Sequence, residues 1–224
     1  MNFHAKLAPM NGLSKYRQRF LDDWYNIDGK AFFFVLCLLY FAAFLIKRMF
    51  IIDGIAAFEI LQDRGEMWIM DVFFSLQYLS VPIFIAWKFT LTSFLLWVGC
   101  FLFGYRVTYA QLWKMVMIME LVFIGPELLK VVWFTVFETD PTYHDFVAYY
   151  PLSLINFFNY ENLDPRWLYP LKALNIFEFI YWGMLVAGIY WLSHKKLKIS
   201  IFITLSSYIL FFLLWLIYYL IVYK

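Results

Sequence analysis

From Phe89 to Phe103 the chain runs through fifteen residues without a charge, and comparable apolar stretches recur along its length. That pattern leaves few ways to fold. Where no water reaches the backbone, every N–H and C=O must be satisfied within the structure, so spanning segments are helices or closed barrels. Runs approaching about 20 apolar residues match the length of a transmembrane helix. The composition agrees: 64% of residues are hydrophobic and 15% charged, against about 45–50% and about 25% in soluble domains. There is too little polar surface to cover a water-soluble body. The expectation is an all-α protein, a polytopic transmembrane helical bundle with interfacial helices. Residues 1–30 would form a cytoplasmic or interfacial segment and 31–224 a single membrane domain.

The net charge of +2 is too small to indicate a nucleic-acid partner. Cys37 and Cys100 both sit within apolar runs and lack Cys-x-x-Cys spacing, which speaks against a disulfide framework or a zinc site. Five basic residues precede the run 31–46, which closes on Lys47-Arg48 without a small-residue cleavage site. This reads as an uncleaved first span with its N-terminus in the cytoplasm.

Further along, residues 13–25 place Leu13, Tyr16, Phe20 and Trp24 on one helical face, suiting a helix in the membrane interface. The first span covers about 31–50, and the amphipathic stretch 53–66 suggests a short interfacial helix. Other spans are expected at 112–137, about 172–192 and 199–222. An acidic, aromatic extracytoplasmic loop lies at about 138–171, with an interfacial segment near 152–159. The stretch 67–104 is ambiguous. It is apolar but for Asp71, Gln77, Pro82 and Lys88. As one helix it would be about 57 Å long, while the hydrocarbon core is about 30 Å. It reads either as two spans with a turn near 82–88 or as one crossing made from a broken or half-inserted helix.

Basic residues favour the cytoplasmic side. With a single crossing at 67–104, ten Lys/Arg fall inside and six outside; with two crossings the split is nine to eight. Five net crossings, with six helices as a variant, is therefore the preferred topology. It places Gly104-Tyr105-Arg106 in a cytoplasmic turn.

The span 112–137 is the costly one, because it carries Glu120, Glu127 and Lys130 around Gly125-Pro126. A charge at the bilayer centre costs roughly 3 kcal/mol on insertion scales. Glu120 and Glu127 lie within about 20° of one another on a helix, and Lys130 is spaced to pair with Glu127. Pro126 predicts a kink. Asn175 and Glu178, three apart, extend the polar set into the next span, where Glu178 can face Glu120. These five residues form an intramembrane polar stripe with a structural or a transport role. Asp140, His144 and Asp145 in the loop are a weak metal motif. No nucleophile–base set, metalloprotease helix or phosphate-binding loop is present, so no enzyme activity and no cofactor is expected.

From Phe89 onward the order of local patterns carries a resemblance. Phe89-Thr90-Leu91-Thr92-Ser93-Phe94-Leu95-Leu96-Trp97 leads to Gly104, then Thr108-Tyr109-Ala110-Gln111-Leu112, then the helix containing Pro126. After the loop come Pro151-Leu152-Ser153-Leu154, and Leu174-Asn175-Ile176-Phe177-Glu178-Phe179 entering Gly188-Ile189. Over roughly 89–220 this resembles the bacterial branch of the Yip1 family of small multispan membrane proteins. The resemblance implies five helices, a cytoplasmic N-terminus, a bacterial inner membrane location and no catalytic residues. Its eukaryotic members are trafficking factors that bind other membrane proteins. Phenylalanine-rich spans, Glu120, Glu178 and the long N-terminus depart from the pattern, so no functional residue carries over. The expected partners are the lipid bilayer and other membrane proteins. The expected role is a non-enzymatic subunit or accessory scaffold of an inner-membrane complex. The alternative is a transporter or ion-coupling component with a carboxylate path.

Overall fold

A computed structural model of the chain describes residues 27–138, 141–159, 162–193 and 196–223. The amphipathic stretch 13–25, His4, Asp140 and His194 lie outside them. The described chain is all-α. Four segments are long and apolar enough to cross a membrane: Gly29–Gly54, Met67–Leu102, Ile176–Ser193 and Leu197–Val222.

Helix α1 (Gly29–Phe50) starts at Asp28, whose carboxylate accepts the Lys30 backbone N–H at 3.0 Å. It ends on Lys47 and Arg48, cations that complement the carbonyl end of the helix dipole. A 3-10 turn, Ile52–Gly54, and the short α2 (Ala56–Asp63) occupy the amphipathic stretch. Arg48 ties this end together, reaching Asp71 at 2.5 Å and Asp53 at 3.5 Å.

Helix α3 (Met67–Leu102) resolves the ambiguity of 67–104. It is one uninterrupted helix of 36 residues, neither two spans nor a broken one. Pro82 inside it removes one hydrogen bond, that to the Tyr78 carbonyl, yet the helix runs through. Residues on both sides of the proline pack on the same neighbours. Phe41 and Phe44 of α1 meet Tyr78, and Phe33 of α1 meets Phe89. The helix stops where the sequence says it should. Gly104 adopts a φ of 71°, and its N–H and that of Tyr105 return to the carbonyls of Phe101 and Cys100. This is a Schellman closure, which needs a left-handed residue.

A capping box of Thr108 and Gln111 then starts α4 (Tyr109–Met119). The expected span 112–137 is not one regular helix. Residues Glu120–Phe123 form a 3-10 turn, and α5 (Ile124–Val136) continues beyond it. Pro126 lacks an N–H, and its ring crowds the Val122 carbonyl, so the ladder tightens just upstream. In the first turn of α5 the missing N–H costs little. Together α4, the 3-10 turn and α5 extend about 44 Å.

The loop contains α6 (Tyr143–Ala148), a 3-10 turn at Leu154–Phe157 and α7 (Pro165–Ala173). It is pinned to the next helix by a bridge between Ser153 and Asn175. At the N-terminus of α7, Asp164 accepts from the Arg166 backbone and guanidinium, and those hydrogen bonds hold its carboxyl below the usual range. Helix α8 (Ile176–Ser193) follows. Helices α9 (Leu197–Thr204) and α10 (Leu210–Val222) are joined by a π-helical segment, Leu205–Ile209.

Contacts fix how the helices run. Gly29 lies by Lys114 and Lys47 by Glu127, so α1 is parallel to α4–α5. Thr90 meets Trp113 while Lys88 meets Glu120, so α3 is antiparallel to them. Gly188 packs on Met115 and Gly125 on Phe177, so α8 also runs antiparallel. The central α4 buries Leu112, Met115, Val116 and Met117 completely against α3 and α8.

Two glycines set the closest helix approaches. A Cβ at Gly188 would stand 2.3 Å from the Met115 sulfur. One at Gly99 would stand 3.0 Å from the Cβ of Ser207 and 3.1 Å from a methyl of Ile203. Gly183 faces open space. Gly99→Leu should therefore destabilise the folded protein by about 1–3 kcal/mol, the usual cost of overpacking. Gly183→Leu should leave it unchanged. Thermal unfolding in detergent, followed by thiol-reactive dye, reads both; equal melting temperatures for the two variants would contradict this packing.

Candidate functional site

Tyr40 and Phe44 from α1, Val81, Phe84, Ile85 and Lys88 from α3, Glu120, Phe123 and Glu127 from the broken helix, and Tyr150 from the loop enclose a cavity of about 280 Å³. The 3-10 turn puts Glu120 at its back. Glu120 and Glu127 do share one face, as their seven-residue spacing predicts, and both line this cavity.

Their partners come from other helices. Lys88 Nζ lies 2.6 Å from Glu120 Oε1, which also accepts from the Tyr40 hydroxyl at 3.3 Å. Lys47 Nζ lies 2.7 Å from Glu127 Oε2. Each ammonium also sits on an aromatic face: Lys88 is 3.7 Å from the Phe123 ring centroid and Lys47 4.5 Å from that of Phe44. Each of the two cavity carboxylates thus has one lysine against it, Lys88 from within the cavity lining and Lys47 from outside it. Aromatic faces supply part of the solvation that water would give. Glu120 is 2% exposed, and its second oxygen, Oε2, is buried without a hydrogen-bond partner. Tyr150 reaches in from the loop. Burial above all, then the charges of Glu127, Glu178 and Glu120, push its phenol up, so it stays a neutral donor.

Lys130 does not pair with Glu127, contrary to the spacing argument. Its Nζ donates to the Phe146 carbonyl at 2.5 Å and lies over the Phe146 ring, fastening α6 to α5. Lys47, on a helix packed along α5, takes the Glu127 carboxylate instead.

Glu178 is not in the cavity. Its Oε1 accepts from Trp182 Nε1 at 2.8 Å and from the Tyr208 hydroxyl at 2.9 Å. Tyr208 stands in the π segment, where the extra residue turns its side chain inward. Fully buried Tyr181 packs on Phe123 on one side and Tyr208 on the other. A layer of aromatic rings thus separates Glu178 from the cavity.

Asn175 is a helix cap rather than part of a stripe. Its Oδ1 accepts the Glu178 backbone N–H, and its Nδ2 donates to the carbonyls of Lys172 and Ala173. In the loop, Asp145 closes a capping box with Thr142. Among the described residues no group of three or more His, Cys, Asp or Glu is placed to hold a metal ion. Both cysteines are buried and free.

The sequence reading treats Lys88 and Lys47 only as an interruption and as a span end. A signal for Lys88 was present: a lysine deep in a long apolar helix needs an anion at its own depth, and few carboxylates are available there. No family model, no curated protein and no solved structure matches this chain.

Removing one member of the inner pair strands the other. Lys88→Met should cost about 3–5 kcal/mol of stability by leaving Glu120 buried without its cation. The double variant Lys88→Met/Glu120→Leu should recover most of that loss, since an apolar replacement of a buried pair is often neutral or better. Melting temperatures of the three proteins in one detergent test this. A double variant as unstable as the single one would show that the pair does not act as a unit.

Proposed function

We propose that the chain is a non-catalytic membrane protein of five crossings that works as a transport or ion-coupling component, with the cavity as its binding centre. The broken helix α4–α5 is the fifth crossing, and the N-terminus lies in the cytoplasm. The antiparallel order of the helices and the excess of basic residues at the end holding Lys30, Arg106, Lys114, Lys196 and Lys198 support that topology. The Yip1-like pattern from Phe89 onward belongs to the same reading and rests on sequence order alone.

One observation carries the functional proposal. Two intramembrane carboxylates converge on an internal cavity, each held by a lysine from a different helix. A carboxylate needed only for helix packing has no use for a cavity. A group that exchanges protons or polar solutes at bilayer depth needs one. The competing role, a subunit that docks on a partner complex, would place its costly carboxylates on an outward groove. Glu120 instead points inward, 2% exposed, and the Glu127 side chain is only 20% exposed.

Purified protein in liposomes, with potassium and valinomycin clamping the potential, should admit protons after an external acid step, as reported by an enclosed pH-sensitive dye. Lys88→Met/Glu120→Leu should lower the rate at least tenfold while still eluting as folded protein. Proton entry no faster than in empty liposomes would sink ion coupling. Stoichiometric co-purification of a partner in mild detergent would then favour the subunit role.

A further inference from the structure

One wall of the cavity reaches the outward face of α3. Helices α1 and α3 form one seam of the bundle. The seam is closed at one level by Phe41 and Phe44 against Tyr78, with ring centroids 6.4 and 6.3 Å apart. It is closed again where Phe33 meets Phe89 at 6.3 Å. Between these closures lies a stretch of α3 about 16 Å long, and it carries Val81, Phe84, Ile85 and Lys88, all lining the cavity. Phe84 is 67% exposed and is flanked on the outer face of α3 by exposed Leu79, Ile83 and Trp87. That surface is apolar but for Ser80, whose hydroxyl turns back to the Gln77 carbonyl. Phe84 thus carries the cavity lining out to the apolar mid-helix face of α3, the side from which lipid would reach it.

Inside the opening the chemistry changes. Each cavity carboxylate already has a lysine against it, so a charged newcomer would find no free counter-ion there. What the floor lacks is one hydrogen-bond donor, for the unpartnered Oε2 of Glu120. A neutral hydroxyl supplies that donor without adding charge. The volume is of the order of nine waters at about 30 Å³ each, enough for a glycerol-sized head and too small for acyl chains.

We infer that the cavity takes the hydroxyl-bearing head of a neutral lipid, a diacylglycerol or similar lipid alcohol, which enters sideways between α1 and α3 while its tails stay in the bilayer. The hydroxyl donates to Glu120 Oε2, and Tyr40, Tyr150 and Lys88 surround the head. This inference rests on the cavity being the binding centre and names the class of molecule it binds.

Photo-crosslinking tests it on the full-length protein in liposomes, with a diacylglycerol carrying a diazirine beside the glycerol. Label should concentrate on peptides containing Tyr40, Phe44 and Phe84. Unlabelled dioctanoylglycerol should compete it away. Trioctanoylglycerol, whose hydroxyl is esterified, should compete about tenfold less well, the loss expected for one hydrogen bond to a charged acceptor. Free glycerol should not compete. Lys88→Met/Glu120→Leu should lose the competed label, and Phe84→Trp, a change on the exposed rim, should reduce it by narrowing the mouth. Label spread evenly along the outer face of α3 would overturn the inference, as would equal competition by the triester. Competition by glycerol would overturn entry from the bilayer. An unchanged signal in Phe84→Trp would overturn the lateral mouth. Competed labelling without proton entry would remove ion coupling and leave lipid binding; proton entry without competed labelling would do the reverse.

Discussion

The pairing of Lys88 with Glu120 is the contact on which the arrangement of helices turns. Neither charge can stand alone at bilayer depth, where the medium offers almost nothing to solvate it. The lysine belongs to α3 and the carboxylate to the 3-10 turn between α4 and α5, so satisfying both fixes the register of two antiparallel helices. Tyr40 adds α1 to the same carboxylate, and Lys47–Glu127 repeats the constraint about two turns further along. A purely apolar seam could slide by a turn at modest cost; this one cannot. The worth of the pairs lies in that specificity more than in net stability, because desolvation consumes much of their mutual attraction.

The polar residues of the membrane domain divide into three jobs. Glu120, Glu127, Lys88 and Lys47 face or flank a cavity. Glu178 is sealed in by Trp182 and Tyr208 on the far side of Tyr181, where its hydrogen bonds lock α8 to the π segment. Lys130 and Asn175 serve the loop, one by holding α6 and the other by capping α8 beside the Ser153 bridge. The five polar residues thus fall into one cavity-lining pair and separate contacts that fasten helices and the loop.

Much of this was legible in the sequence, and the reasons differ by element. Apolar runs closed by Lys47-Arg48 or by Gly104 mark helix ends because the caps are local. The shared face of Glu120 and Glu127 follows from helical periodicity alone. The continuity of α3 was not legible, since Pro82 lowers local preference and only packing on α1 restores it. The partners of the carboxylates were not legible either: a spacing of three residues makes a Glu127–Lys130 pair possible, but which lysine wins depends on how α1 lies along α5. The cap formed by Asn175 was legible too. Asn-x-x-Glu opening an apolar run is a capping pattern, and polarity alone does not separate that role from membership of a stripe.

The unbroken length of α3 has a mechanical consequence. At about 1.5 Å per residue its 36 residues measure about 54 Å, against about 30 Å of hydrocarbon and about 40–45 Å with the headgroup regions. Such a helix must lean, project beyond the bilayer at its polar Asp71 end, or draw the surrounding lipid thicker, at a cost of a fraction of a kcal/mol per ångström of mismatch. Its lean is shared by the seam with α1, which closes on a few ring contacts. Acyl-chain length in the host membrane therefore bears on how far α3 must lean.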